Sequence, residues 1–179
     1  MFAWIRKLIH KNDVHGVVDP FHKLVRSDFQ KTRQPIRDPE KFNNLVADFH
    51  RHMSSHLLAA ARMKDSVTDQ IQTGSKLIVI TDKHLAHAAK ALDVADELIR
   101  MEPHRAIPWT NRVLALGALT RFDEALVANE QSIEIDPSDP DKWRLRANIL
   151  RSLKRHDEAG NADKTADKLQ REMLRARER

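Results

Sequence analysis

The chain has no cysteine, no tyrosine and only four glycines in 179 residues. Without cysteine there is no disulfide, no thiolate zinc site and no cysteine nucleophile, which fits a reducing compartment such as the cytoplasm. So little glycine, with long stretches rich in Ala, Leu, Lys, Glu and Arg, favours helix over sheet and predicts an all-α protein. No apolar run approaches the roughly 20 residues needed to cross a bilayer. Arg6 and Lys7 interrupt the apolar start where a signal peptide would keep an unbroken core, so a soluble, unprocessed chain is expected. Gly-rich phosphate loops, a nucleophile elbow and paired catalytic carboxylates are also missing, and neither an enzyme nor a cofactor is expected.

The length allows one folded unit, or a short solenoid with an arm, but not two large domains. Charge is unevenly placed along it. Residues 1–37 carry eight Lys and Arg against three Asp, net +5, and residues 140–179 carry twelve bases against seven acids, again +5. Between them, residues 71–139 carry seven bases against eleven acids, net −4. Basic ends suit an anionic partner, while a solvated charged surface is the plainer account.

One period stands out when the chain is laid against itself. Pro103 and Pro137, Trp109 and Trp143, Arg112 and Arg146, Leu116 and Leu150, Leu119 and Leu153, and Arg121 and Arg155 all lie 34 residues apart. Arg121 to Ala125 (RFDEA) and Arg155 to Ala159 (RHDEA) keep the same offset. Recurrence over types as uncommon as Trp and Pro marks a stacked repeat. Within residues 106–139, Pro108 suits a first helical turn, and Trp109, Val113 and Leu116 share one face. Asp123 is expected to cap a second helix, whose Ala125, Leu126, Ala128, Ile133 and Ile135 form a further stripe before Asp136-Pro137 stops it. Ala125 is expected where the two helices come closest.

The pattern Trp109, Leu116, Ala125, Pro137, repeated as Trp143, Leu150 and Ala159, resembles the tetratricopeptide repeat over residues 106–173. It departs where the usual Leu-Gly is Arg112-Val113 and then Arg146-Ala147, and where the usual Phe is Asn129 and then Asp163. The resemblance implies a short right-handed helical-hairpin solenoid of about three units with an N-terminal helical extension. The expected divisions are a basic arm with a short amphipathic helix (1–37), a helix packing on the array (38–65), a degenerate unit (66–105), a unit (106–139), a unit with a polar terminal cap (140–173) and a basic tail (174–179). In 66–105, Ala91, Leu92, Ile99 and Glu102-Pro103 match the second half of the pattern. Ser66 to Asp69 reads as a capping box and Thr81-Asp82 as a second start. The β-branched run Lys76 to Thr81 suits a strand or a first helix, and helix is the reading adopted.

Further upstream, Asp38-Pro39-Glu40 opens a helix with an apolar stripe of Phe42, Val46, Phe49, Met53, Leu57 and Ala60, which either covers the open end of the array or forms a coiled-coil seam. Phe2, Trp4, Ile5 and Ile9 beside Arg6, Lys7 and Lys11 could lie on an anionic membrane surface. Nucleic-acid or anionic-surface binding through the two basic ends is the alternative function. His52 and His56, with Asp48 one turn back, and His84 with His87 have metal-chelating spacings, but a third ligand is not assured and no metal site is expected.

The leading function is that of a protein-protein interaction scaffold. In the family resembled, the first helix of each unit lines the concave face. That register implies a partner-binding set of Lys76, Ile80 and Lys83, then Asn111 and Leu114, then Arg144, Asn148 and Arg151. Their amides and cations suit an acidic or carboxylate-bearing segment of another protein. Lys76 and Asn111 match the two-carboxylate clamp of chaperone-binding members, whereas Ile80, Asp141 and Leu145 do not, so a full clamp is not expected.

Overall fold

In the computed structural model the described residues are 35–67 and 74–177, with side chains described for 35–57 and 85–176. They form α1 (Pro39–Val67), α2 (Gly74–Met101), α3 (Ala106–Ala118), α4 (Phe122–Ile135), α5 (Pro140–Ser152) and α6 (His156–Arg177), with no strand among them. Helices α1 and α2, α3 and α4, and α5 and α6 pair as hairpins, and α2 against α3 and α4 against α5 join each hairpin to the next. The described residues fold as a short tetratricopeptide-like helical solenoid of three hairpins.

The second and third hairpins repeat each other closely. Trp109 Nε1 donates to the Pro103 carbonyl at 2.9 Å, and Trp143 Nε1 donates to that of Pro137 at 2.9 Å. Each indole thus ties the first helix of its hairpin back to the loop that enters it. Both rings are half-buried against the core, an edge position rather than one sealed between layers. Leu116 and Leu150, and the small Ala125 and Ala159 at the close helix contact, are buried in equivalent places. Arg112 reaches back 3.3 Å to Asp96 of α2, and Arg146 reaches 3.1 Å to Glu130 of α4.

The turns inside these hairpins also coincide. Thr120 has φ 59° and Lys154 φ 61°, the left-handed conformation that ends a helix. The next amide, Arg121 or Arg155, returns to the Leu116 or Leu150 carbonyl at 2.9 Å in both cases. Both guanidinium groups then grip the glutamate three residues on, Arg121 to Glu124 at 2.6 Å and Arg155 to Glu158 at 2.6 Å, which explains the repeated R-x-D-E-A. Those carboxyls are held below their usual range chiefly by that hydrogen bond, and the arginines above theirs. Asp123 is not the cap. α4 starts at Phe122 with Arg121 before it, so Asp123 and Glu124 lie in the first turn, where the helix dipole favours negative charge.

The first hairpin is longer. Asp38 caps α1 through Oδ1, which accepts from the Lys41 amide at 2.9 Å. The buried stripe is Phe42, Val46, Phe49, Met53 and His56. His56 takes the place expected for Leu57, which is half-buried, because alternating steps of four and three residues follow the α2 seam. Ala60 has no described side chain. α2 is a single helix of 28 residues. Its last part, Ala88 to Met101, is the 34-residue counterpart of α4, and Ala91 is buried like Ala125. Helix then continues upstream over residues 74–87, about 21 Å at 1.5 Å per residue.

Lys76 to Thr81 is therefore helical, and no second helix begins at Thr81-Asp82. Ser66 lies in the last turn of α1 rather than opening a helix. Residues 66–105 supply one long helix whose partner is α1, not a hairpin of their own. Nothing from Ser75 to Met101 breaks the helix, since the segment has no proline or glycine, and the β-branched Ile78-Val79-Ile80 run is too weak a preference to do so.

Candidate functional site

The expected partner-binding residues fall into three groups. Lys76, Ile80 and Lys83 lie in the upstream part of α2, where the helix is described but the side chains are not. Asn111 and Leu114 on α3 are only 3% and 5% exposed. Leu114 belongs to the main core with Phe49, Met53 and Leu145. Asn111 Nδ2 is buried without a hydrogen-bond partner among the described residues. These two residues are part of the packing, so the α3 contribution to an open donor face is smaller than the register implied.

The third group is accessible. Arg144, Asn148 and Arg151 stand at steps of four and three residues along α5 and form one stripe. Both arginines already have partners on their own hairpin. Arg144 Nη1 donates to Asp141 Oδ1 at 3.1 Å and to Gln170 Oε1 at 3.4 Å, and its Nη2 lies 3.9 Å from Asp167. Arg151 Nη1 donates to Asn148 Oδ1 at 3.0 Å, and its Nη2 pairs with the Asp163 carboxylate. Exposed pairs of this kind are worth roughly 0–1 kcal/mol each. A carboxylate from outside can displace them at small cost.

A buried polar joint beside this stripe went unseen in the sequence. Lys142, 4% exposed, places Nζ 3.0 Å from Asp136 Oδ2 and 2.7 Å from Asp139 Oδ2. Asp139 also caps α5, its Oδ1 accepting from the Asp141 amide at 2.9 Å. Asn129 Nδ2 donates to the Lys142 carbonyl at 3.1 Å, and the Thr110 and Ser132 hydroxyls meet at 2.8 Å. The signal available was the D-x-x-D-x-x-K spacing from Asp136 to Lys142, which folds two carboxylates around one ammonium as the chain turns into α5. The joint orients α5 and hence the Arg144 stripe.

The histidine pairs separate in the fold. His56 enters the α1 core stripe, while His52 meets His87 of α2 with ring centroids 6.0 Å apart. Burial, then His87 and Lys90, hold His52 below its usual value against the opposing pull of Asp48. Among the described residues no three His, Asp or Glu side chains converge as a metal site. A shallow depression of about 310 Å³ on α1, lined by Asp38, Lys41, Leu45 and Asp48 among others, is open to solvent. Phe2, Trp4, Ile5 and Ile9, and with them the membrane and nucleic-acid reading of the N-terminal arm, lie outside the described residues. Among the described helices none is long and apolar enough to cross a membrane.

No protein-family model matches this chain, and no curated protein matches it. Solved structures resemble it at low identity. "MamA MSR-1 C2" is 16% identical, covering 93% of this chain and 97% of that one, with a TM-score of 0.47. "MamA AMB-1 P212121" is 18% identical, covering 93% of this chain and 92% of that one, with a TM-score of 0.45. Likeness of this degree gives no residue-by-residue correspondence; the hairpin array stands on its own repeated hydrogen bonds, ion pairs and turns.

Proposed function

We propose that the chain is a non-catalytic protein-interaction scaffold of tetratricopeptide type, holding an acidic or carboxylate-bearing segment of another protein along the first helices of its hairpins. The observation that supports this most directly is the accessible stripe Arg144, Asn148 and Arg151 on α5, a helix oriented by a buried joint on one side and by Trp143 on the other. A partner carboxylate would replace Asp163 or Asp167 on a guanidinium group already presented in a fixed direction, so little side-chain ordering remains to oppose binding. Lys76, Ile80 and Lys83 on α2 extend the proposed face, with Asn111 and Leu114 as its packed floor.

Affinity capture from the cells that make the chain tests this. Arg144→Ala with Arg151→Ala should remove specific proteins from the set recovered with the wild-type chain, while the melting temperature changes little. An unchanged set of captured proteins would sink the reading.

A further inference from the structure

Helix α6 sorts its charges by side. Asp163 and Asp167 face α5, where they meet Arg151 and Arg144. Ala159, Ala162 and Ala166 are buried. On another side Lys164, Lys168, Arg171 and Arg175 follow one another at steps of four, three and four residues, all exposed. At 1.5 Å per residue and 100° per step they form a nearly straight row about 16 Å long. Two acids flank it: Glu172, 4.0 Å from Lys168, and Asp167, which turns toward Arg144 from a position one turn away from both Lys164 and Arg171. Lys164, Arg171 and Arg175 have no ion-pair partner among the described residues. Like charges at these spacings repel by a few tenths of a kcal/mol per pair, so the row opposes the helix that carries it.

The row also runs past the hairpin. The 34-residue counterpart of the α4 end is Leu169, yet α6 continues to Arg177, and beyond Ala166 none of its described side chains is fully buried. Leu174, 48% exposed, lies between Arg171 and Arg175 on that final stretch.

We propose that Lys164, Lys168, Arg171 and Arg175 form a second docking surface, which takes a partner helix carrying carboxylates at the same three- and four-residue spacing, with Leu174 as its apolar contact. Matching rise along two helices lets each cation meet its own carboxylate, as flanking charges do between paired helices. Other polyanions fit less well. Binding of single-stranded nucleic acid relies on aromatic stacking, and α6 has no Phe, Tyr or Trp. Lying in a membrane surface requires a broad apolar face, and only Leu174 is offered. This surface rests on the reading of the chain as a holder of proteins, but lies on a different helix from the Arg144 stripe.

The test is fluorescence anisotropy with the full chain at low salt. The probe is a synthetic helical peptide bearing Glu at positions i, i+4, i+7 and i+11 and one Leu. A Gln version of the peptide, phosphatidylserine vesicles and a single-stranded oligonucleotide serve as comparators. The Glu peptide should bind and the Gln peptide should not. Reversing the row (K164E, K168E, R171E and R175E together) should weaken Glu-peptide binding at least about tenfold, a small change in free energy for four contacts. The neutral fourfold Gln variant should weaken it by an intermediate amount and guards against misfolding of the reversed one. In the R144A and R151A background, which removes the α5 stripe, reversing the row should still weaken binding at least about tenfold. Equal binding by wild type and both row variants, no binding at low salt, or tighter row-dependent binding of vesicles or oligonucleotide would each overturn the proposal. Loss with R144A and R151A alone would move the acidic site to α5, leaving the scaffold reading standing without this surface.

Discussion

The two seams of the array occupy equivalent places and are built from opposite materials. Where α2 meets α3, the buried second-helix position is Ala95; 34 residues on, where α4 meets α5, it is Asn129, whose amide reaches the Lys142 carbonyl. The loops differ likewise. At the first seam Arg105 Nε reaches Glu102 Oε2 at 3.4 Å, and Glu102 Oε1 accepts from the Arg37 amide at 2.9 Å. At the second, one ammonium is enclosed by two carboxylates. The same hairpin geometry thus tolerates either an apolar or a polar seam, provided the buried polar groups find partners. An apolar seam depends on volume, whereas a polar seam also depends on direction, and it is the directional one that places the proposed binding stripe.

The largest way to break this comparison is Lys142→Met. It leaves Asp136 and Asp139 buried together without their cation, and removing one member of such a group costs roughly 3–5 kcal/mol. Arg105→Met, at the other seam, should cost less, because it strips the cation from one carboxylate rather than two, and Glu102 keeps its bond to the Arg37 amide. Urea denaturation of the two variants at neutral pH measures both. Equal losses would mean that the seams do not differ as their chemistry implies.

An exchange of seam residues sharpens the contrast at the next level of effect. Ala95→Asn puts an amide into an apolar seam with no partner provided, and should destabilise by about 1–3 kcal/mol. Asn129→Ala deletes a single hydrogen bond to the Lys142 carbonyl, and Asn129 Oδ1 already lacks a partner, so it should cost less, about 0.5–1.5 kcal/mol. Thermal melts of the two variants decide whether the order holds.

A smaller effect separates the first hairpin from the others by pH. His52, in contact with His87 across α1 and α2, is held below its usual value, so its charged form is disfavoured in the folded state. Stability from this source is present above the unfolded value of about 6.5 and is lost as pH falls through the lower folded value. Protection against amide hydrogen exchange in α1 and α2, corrected for the intrinsic pH dependence of exchange, should therefore fall on acidification more than in α3 and α4. His52→Gln should reduce the difference, and a variant that kept it in full would discount the contact.

How much of this was legible in the sequence depends on what each feature leaves behind. Trp109 and Trp143, the two Arg-Glu grips and Ala125 with Ala159 perform the same task twice, so the period exposed them directly. The first hairpin has no second copy of its full length. α2 continues through Thr81-Asp82 because nothing there obstructs a helix, and a potential start is not a stop when the preceding residues are already helical. The buried joint was hidden for the opposite reason: Asp136, Asp139 and Lys142 look like ordinary surface charges until the loop folds them together. Asn111 shows the limit of register. Its position implied an open face, but burial depends on the neighbours packed around α3, which periodicity alone does not report.

The smallest expected effect tests whether the second and third hairpins are equivalent in energy as well as in shape. Thr120 and Lys154 hold the same left-handed turn, with φ 59° and 61°. A side chain in that region costs roughly 1–2 kcal/mol, and glycine avoids the cost but gives back about 0.5–1 kcal/mol through its freer unfolded chain. Each glycine substitution should therefore stabilise by between zero and about 1.5 kcal/mol. The two should not be equal, since the β-branched threonine is more crowded at positive φ than the straight-chain lysine. Thr120→Gly should raise the denaturation midpoint more than Lys154→Gly, and the double variant should show nearly the sum because the turns belong to separate hairpins. The reverse order would mean that contacts of the Thr120 side chain, rather than backbone strain, set the energy of the turn.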